Sequence, residues 1–144
     1  METLKIDPKH VDLNEIIERG VLLHGHLGPF LVAGIRMGLL ALELLDSPGY
    51  FGITAVSETG TRPPVSCLTD GIQIGSGCTT GKGNLTVIEA GRPRVRFKSE
   101  AGRTVTIELR PQILAEFQDG GLEEESDIAA RRPVEELFAW TITR

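Results

Sequence analysis

The stretch from Leu27 to Leu45 is almost unbroken in apolar residues, and it restricts the chain to a few architectures. Such a run either crosses a membrane or lies inside a packed core. Arg36 stands at its middle and Glu43 near its end. Inserting a central arginine into a bilayer costs about 2.5 to 3.5 kcal/mol, so the run reads as a buried helix of a water-soluble core. Pro29 suits the first helical position, where its missing N–H would have no partner anyway, and the helix is predicted over Pro29 to Leu45. Gly34 and Gly38 lie four residues apart on it. Each costs about 1 kcal/mol relative to alanine, which implies that another backbone presses against that face.

The bulk numbers fit one domain spanning residues 1–144. A chain of 144 residues, 40% hydrophobic and 24% charged, is large enough to bury a core without disulfides. Its net charge of −5 lacks the basic footprint that a phosphate backbone requires, so nucleic acid is excluded as a general partner. Met1 to Lys5 lacks the basic segment and apolar run of a secretory signal, which predicts a cytoplasmic protein with no membrane partner. Two cysteines, Cys67 and Cys78, are too few for a disulfide scaffold and read as thiols, ligands or redox groups. There is no internal repeat.

Asp12, with Glu15 three residues on, forms a capping-box pattern opening a helix to Arg19, which Gly20 is expected to end. Tyr50 to Glu58 reads as a strand from its β-branched and aromatic content. A loop over Gly60 to Pro64 leads to a second helix reaching Ile74, and Asn84 to Glu89 reads as another strand. Arg94 to Ser99 and Arg103 to Leu109 form a hairpin across Gly102. Val95 and Phe97 share one face of its first arm, and Val105, Ile107 and Leu109 share one face of the second. The opposite face carries Arg92, Arg94, Arg96 and Lys98 and reads as solvated. Beyond the Gly120-Gly121 boundary, a short helix is expected through Ile128 and Ala129. A last helix is expected from Pro133, with Val134, Leu137, Phe138 and Trp140 at helical spacing and free to cover the sheet or a second copy of the chain. The expected fold is α+β, a two-layer domain with a mainly antiparallel sheet packed against a long central helix.

Two of the three histidines fall in His24-Gly25-His26, just ahead of Pro29. Imidazole is the commonest metal ligand and the usual proton shuttle near neutrality, and Gly25 gives the backbone freedom to bring both rings to one atom. Zn²⁺ accepts nitrogen and sulfur tetrahedrally, so His24, His26, Cys67 and Cys78 are the candidate metal ligands. His26 approaches the positive end of the Pro29 helix, which disfavours a cation unless thiolates offset it. Cys67, if it opens the second helix, is expected to have its thiol pKa lowered by the helix dipole. The Cys67-to-Asn84 segment is rich in glycine, but Ser76 and Gly83 stand where a Walker loop needs glycine and a hydroxyl. Its glycine amides with Lys82 suit a smaller anion. Arg36, Asp70 and Lys82 are therefore the candidate ligand-binding residues, Arg36 either paired with Glu43 or Asp70 or free to hold an anion.

His24-Gly25-His26-Leu27-Gly28-Pro29, then Gly34-Ile35-Arg36, Cys67-x-x-Asp70-Gly71-Ile72-Gln73 and Gly77-Cys78-Thr79-Thr80-Gly81-Lys82-Gly83-Asn84-Leu85, together resemble the FmdE-like family of formylmethanofuran dehydrogenase proteins. The likeness covers a motif core over residues 20–89, followed by the hairpin and helices of residues 90–144. It implies an α+β core, a homodimer, and a metal or active-site cleft between the histidine segment and the cysteine segment. It also associates the chain with one-carbon metabolism around a molybdenum or tungsten dehydrogenase complex. One departure is plain: Gly28 stands where the family commonly has cysteine. Arg62-Pro63-Pro64 is a local variation at the cleft rim, and no cysteine follows Cys78 to build a zinc-ribbon tail.

The expected function is thus binding of zinc or another transition metal in one-carbon redox metabolism. The alternatives are a metal-free module for an anionic pterin-like or carboxylate ligand, and a reversible Cys67–Cys78 disulfide.

Overall fold

The computed structural model describes residues 2–144 as an α+β domain. Helix α1 spans Leu13–His24 and α2 spans Pro29–Leu45, with Pro29 at its start as the sequence predicts. Strand β1 (Ile53–Ser57), helix α3 (Cys67–Ser76) and strand β2 (Leu85–Val87) follow. The hairpin strands are β3 (Arg94–Ser99) and β4 (Thr104–Leu109). Helices α4 (Pro111–Asp119), α5 (Leu122–Arg131) and α6 (Val134–Leu137) lead into strand β5 (Phe138–Thr143).

The sheet runs β2-β1-β3-β4-β5, with β1 and β2 parallel and every other pair antiparallel. Ile53, Ala55, Val95, Phe97, Val105, Ile107 and Leu109 point inward and are buried, as alternation requires. The other face is open: Thr54, Arg96, Lys98 and Thr141 are exposed. Arg94 there pairs with Glu58.

Helix α2 is apolar around most of its circumference because it is covered on most sides. One side joins the core that includes Phe97 and Ile107, while Leu31, Ile35 and Leu39 on another side pack against Ile16, Ile17 and Val21 of α1. Of its residues only Arg36, Glu43 and Leu44 are not buried. The close backbone approach implied by Gly34 and Gly38 is that of α3. A Cβ on Gly34 would lie 2.1 Å from the Leu68 carbonyl oxygen, and one on Gly38 would lie 2.8 Å from the Ser76 nitrogen. Helix α3 answers with its own glycines: a Cβ on Gly71 would lie 2.2 Å from the Leu31 oxygen, and one on Gly75 2.1 Å from the Ile35 oxygen. Two glycine pairs at four-residue spacing thus let the helices meet backbone to backbone.

Three sequence expectations change. Gly20 does not end α1; it is buried in mid-helix under Ile35 and Leu31, and the helix stops at Gly25, whose φ of 99° closes it in the left-handed region. Helix α4 is an element without a counterpart among the expected ones, opened by Pro111 and anchored by Ile113 and Phe117. The expected C-terminal helix is a single turn, after which Phe138 to Thr143 pair with β4. Among the described residues, no helix is long and apolar enough to cross a membrane.

Candidate functional site

The site forms where α1 ends and α3 begins. His24 is the last residue of α1, not part of a loop, and Gly25 turns the chain sharply after it by donating its N–H to the Val21 carbonyl at 2.7 Å. Cys67 opens α3, and Asp70 and Gln73 follow at three-residue steps, which stacks them on one helix face. These four residues line a cleft of about 410 Å³ whose rim includes Thr61 and Thr80.

His24 Nδ1 lies 2.6 Å from Asp70 Oδ2, and its side chain is only 11% exposed. A carboxylate can only accept, so Nδ1 carries the proton and donates it. Gln73 Nε2 donates to the other carboxylate oxygen at 3.3 Å. The remaining imidazole nitrogen, His24 Nε2, is buried and has no hydrogen-bond partner among the described residues. Such an atom costs about 1 to 3 kcal/mol unless something binds it. The His26 ring lies against His24, centroids 4.6 Å apart and planes tilted by 47°. His26 Nδ1 faces the Leu27 carbonyl at 3.1 Å, which leaves its Nε2 as the nitrogen available to a ligand.

Cys67 is half-buried, and burial pushes its thiol pKa up, with Asp70 adding to the shift. The helix dipole expected to favour thiolate is outweighed, because desolvation and a neighbouring carboxylate both oppose a negative sulfur. Cys78 sits in the apolar core, fully buried, with its Sγ 3.8 Å from the Ile53 carbonyl oxygen. Burial likewise raises its pKa. Among the described residues, no three His, Cys, Asp or Glu side chains are already gathered around one point. His24 and Cys67 both line the cleft, and the ring of His26 lies against that of His24.

Two residues from the anion reading lie elsewhere. Arg36 donates to the Ala129 carbonyl at 3.0 Å and to the Arg132 carbonyl, closing the C-terminal end of α5, and burial lowers its pKa. Lys82 donates to the Gly77 carbonyl at 2.7 Å and to Thr79 Oγ1 at 3.1 Å, closing the end of α3 in the same manner. Both cations are engaged with helix C-termini, where positive charge is favoured. Asp70 alone of the ligand-binding candidates lies in the cleft.

A buried hydroxyl cluster beside the cleft was not anticipated from the sequence. Ser57, Thr59 and Thr69 approach one another at 3.2, 2.9 and 2.7 Å, and Thr59 also reaches the Gly60 carbonyl at 3.1 Å. The available signal was alternation: Ser57 and Thr59 continue the inward face begun by Ile53 and Ala55, placing hydroxyls where a core strand would carry aliphatic residues.

A family model described as FmdE, molybdenum formylmethanofuran dehydrogenase operon, matches residues 23–144. The chain belongs to the FmdE family. The match extends past the motif core through β5, so the later strands and helices are part of the family domain. A relative of known structure is a tungsten formylmethanofuran dehydrogenase FmdE-like protein from Syntrophus aciditrophicus. It aligns with a TM-score of 0.65 at 21% identity, covering 99% of this chain and 77% of that one, and shows the shared fold. A curated relative from Archaeoglobus fulgidus, described as a probable S-adenosyl-L-methionine-binding protein, is 35% identical over 86 residues. The aligned segment is 56% of this FmdE-family chain and 22% of that relative, so the chain spans about a fifth of its length.

Proposed function

We propose that this FmdE-family chain binds a transition metal ion, zinc foremost, in the cleft at the start of α3. His24 Nε2 and Cys67 Sγ are the primary ligands and His26 is the adjacent third. The observation that carries this reading is the buried, unpartnered His24 Nε2, whose opposite nitrogen is fixed by Asp70. A carboxylate behind an imidazole fixes the ring's tautomer and orientation and makes the other nitrogen a better donor, the usual arrangement behind a metal-bound histidine. A bound divalent cation would supply Lewis acidity at an open coordination position.

The chain's own residues have defined tasks in this reading. Asp70 orients His24 and keeps its proton on Nδ1, while Gln73 holds Asp70. Cys67 releases its proton on metal binding, because thiolate is the ligating form. Cys78 is structural. Family membership ties the chain to formylmethanofuran dehydrogenase-type metabolism, and service to a molybdenum or tungsten dehydrogenase complex, as a homodimer in the cytoplasm, completes the reading.

Metal analysis of untagged protein tests it. His24→Ala and Cys67→Ala should lose bound zinc, whereas Cys78→Ala should retain it. Unchanged zinc content in the first two variants would refute the assignment.

The name of the Archaeoglobus relative favours a second reading, in which the same cleft holds S-adenosyl-L-methionine. A volume of about 410 Å³ falls in the range of small-molecule sites. Equilibrium dialysis with that compound decides it, and dialysis showing no retention in either metal state would remove it. The anionic pterin-like or carboxylate ligand has less support, since Arg36 and Lys82 both point to helix ends.

A further inference from the structure

The cleft's polar groups distinguish between ligand charges. Among the described residues, no lysine or arginine lines it, and its one carboxyl side chain is that of Asp70. The start of a helix can still attract an anion through free N–H groups, but here those groups are occupied. The N–H of Cys67 donates to the Pro64 carbonyl at 3.1 Å, that of Leu68 to Val65 at 3.1 Å, and that of Thr69 to Ser66 at 3.0 Å. Thr61 turns both its N–H and its hydroxyl away, onto the carboxylate of Glu89 at 3.3 and 2.9 Å.

The hydroxyl cluster settles the character of the floor. Each hydroxyl has one proton. The Gly60 carbonyl can only accept, so the Thr59 proton goes there. The 2.7 Å contact between Thr59 and Thr69 then needs the Thr69 proton, and the Ser57 proton is shared between Thr69 at 2.9 Å and Thr59 at 3.2 Å. All three protons are thus used within the cluster and on the Gly60 carbonyl. Thr69, which lines the cleft, therefore has no hydroxyl proton free for a ligand, and its oxygen keeps one acceptor site. Asp70 beside it presents carboxylate oxygens. The rim hydroxyls of Ser66 and Thr80 rotate to suit either partner, and the Gln73 amide offers both a second N–H and a carbonyl oxygen, so the floor sets the difference.

We infer that the organic ligand of this cleft is a cation or a neutral molecule presenting N–H or O–H donors to Thr69 and Asp70, and that Thr69 sets this preference. The inference rests on the same cleft being the ligand site but does not require the metal. A donor group on the ligand meets two acceptors; a carboxylate or phosphate meets their lone pairs and must turn the hydroxyl chain around, leaving the Gly60 carbonyl without its donor.

Three probes of similar size separate the cases: methylguanidinium, N-methylurea and acetate. Each is titrated into the full-length, chelator-treated chain while the backbone amide resonances of Thr69 to Gln73 are followed. Methylguanidinium should bind at least about tenfold more tightly than acetate, the worth of a charge-assisted hydrogen bond, with N-methylurea between them. Thr69→Val should collapse that ratio, Thr69→Ser should restore it, and zinc content should be the same in both variants. Acetate binding as well as methylguanidinium would overturn the inference. So would a ratio unmoved by Thr69→Val in a variant shown to be folded, or no probe perturbing these amides. Loss of the metal reading registers separately, in the zinc content of His24→Ala.

Discussion

Where α3 touches α2, no side chain separates the two backbones; where the same helix faces the cleft, Cys67, Asp70 and Gln73 fill the space with polar atoms. The first contact is set by the absence of Cβ atoms and leaves nothing to adjust. The second holds a nitrogen without a partner among the described residues. The rigid side makes the open side possible: because α3 cannot slide on α2 without backbone collision, Asp70 meets His24 of α1 at a fixed distance. A functional constellation held by packed elements keeps its geometry better than one held by loops.

The largest expected effect comes from breaking the rigid side. Gly71→Ala puts a methyl group 2.2 Å from the Leu31 carbonyl oxygen and 2.6 Å from the Ile35 nitrogen, with no flexible side chain to yield. It should cost about 3 kcal/mol in urea unfolding, at the upper end of overpacking penalties. Zinc binding should weaken with it as α3 shifts. Gly81→Ala, where a Cβ meets nothing within 4 Å, should stay within about 0.5 kcal/mol of the parent. Equal effects at the two positions would end the claim that glycine contact organises the site.

Arg36 tests whether the packed side contains any part of the binding machinery. Arg36→Met removes the guanidinium that closes the α5 terminus and leaves the Ala129 and Arg132 carbonyls without that donor. The expected cost is about 2 kcal/mol, with zinc content unchanged. Altered zinc content at unaltered stability would place Arg36 in the site after all.

The rigid side was far more legible in the sequence than the open one. Pro29, the apolar run and the spacing of Gly34 and Gly38 are local signals, so they disclosed the boundaries of α2 and the nearness of another backbone before its partner was known. Cys67, Asp70 and Gln73 fall within the helix expected to reach Ile74, Cys67 alone near its start, and His24 comes beside them only through a family likeness. The His24–Asp70 contact joins residues 46 apart in the chain, and the hydroxyl cluster joins a strand to a helix; neither leaves a periodic trace. Gly20 misled because glycine inside a helix looks like a stop until its close neighbours, Ile35 and Leu31, are seen. The C-terminus misled for the opposite reason. Val134, Leu137 and Phe138 do have helical spacing, but Thr141, Ile142 and Thr143 are β-branched and the free edge of β4 gives them hydrogen-bond partners.

Gly28 sharpens the open side. Its φ of −157° is extended backbone that any residue adopts, and a Cβ there would stand 3.4 Å from His26 Cε1. Gly28→Cys therefore adds a thiol against the second histidine. Zinc affinity, measured by competition with a chromogenic chelator, should rise about tenfold. No change would mean that His26 lies outside the coordination sphere, which would then close on His24 and Cys67 alone.

The smallest effect separates the cleft from its rim. Along the end of β1 the chain alternates, so Ser57 and Thr59 turn inward to the hydroxyl cluster while Glu58 turns outward to Arg94, whose Nη2 donates at 2.9 Å. The Arg94 guanidinium holds the Glu58 carboxyl below the usual glutamate range. A carboxyl depressed in the folded state contributes stability that is fully present above its unfolded pKa, about 4.3, and is lost as pH falls through the folded value. Both side chains retain some solvent contact, which limits the pair to under about 1 kcal/mol. Glu58→Gln should therefore be slightly less stable than the parent at neutral pH, the gap narrowing below about pH 4. Its zinc content and its preference among the three probes should match the parent throughout. A gap that stays constant with pH would assign the loss to side-chain packing rather than charge, and a changed probe preference would mean that the rim ion pair communicates with the cleft floor through β1.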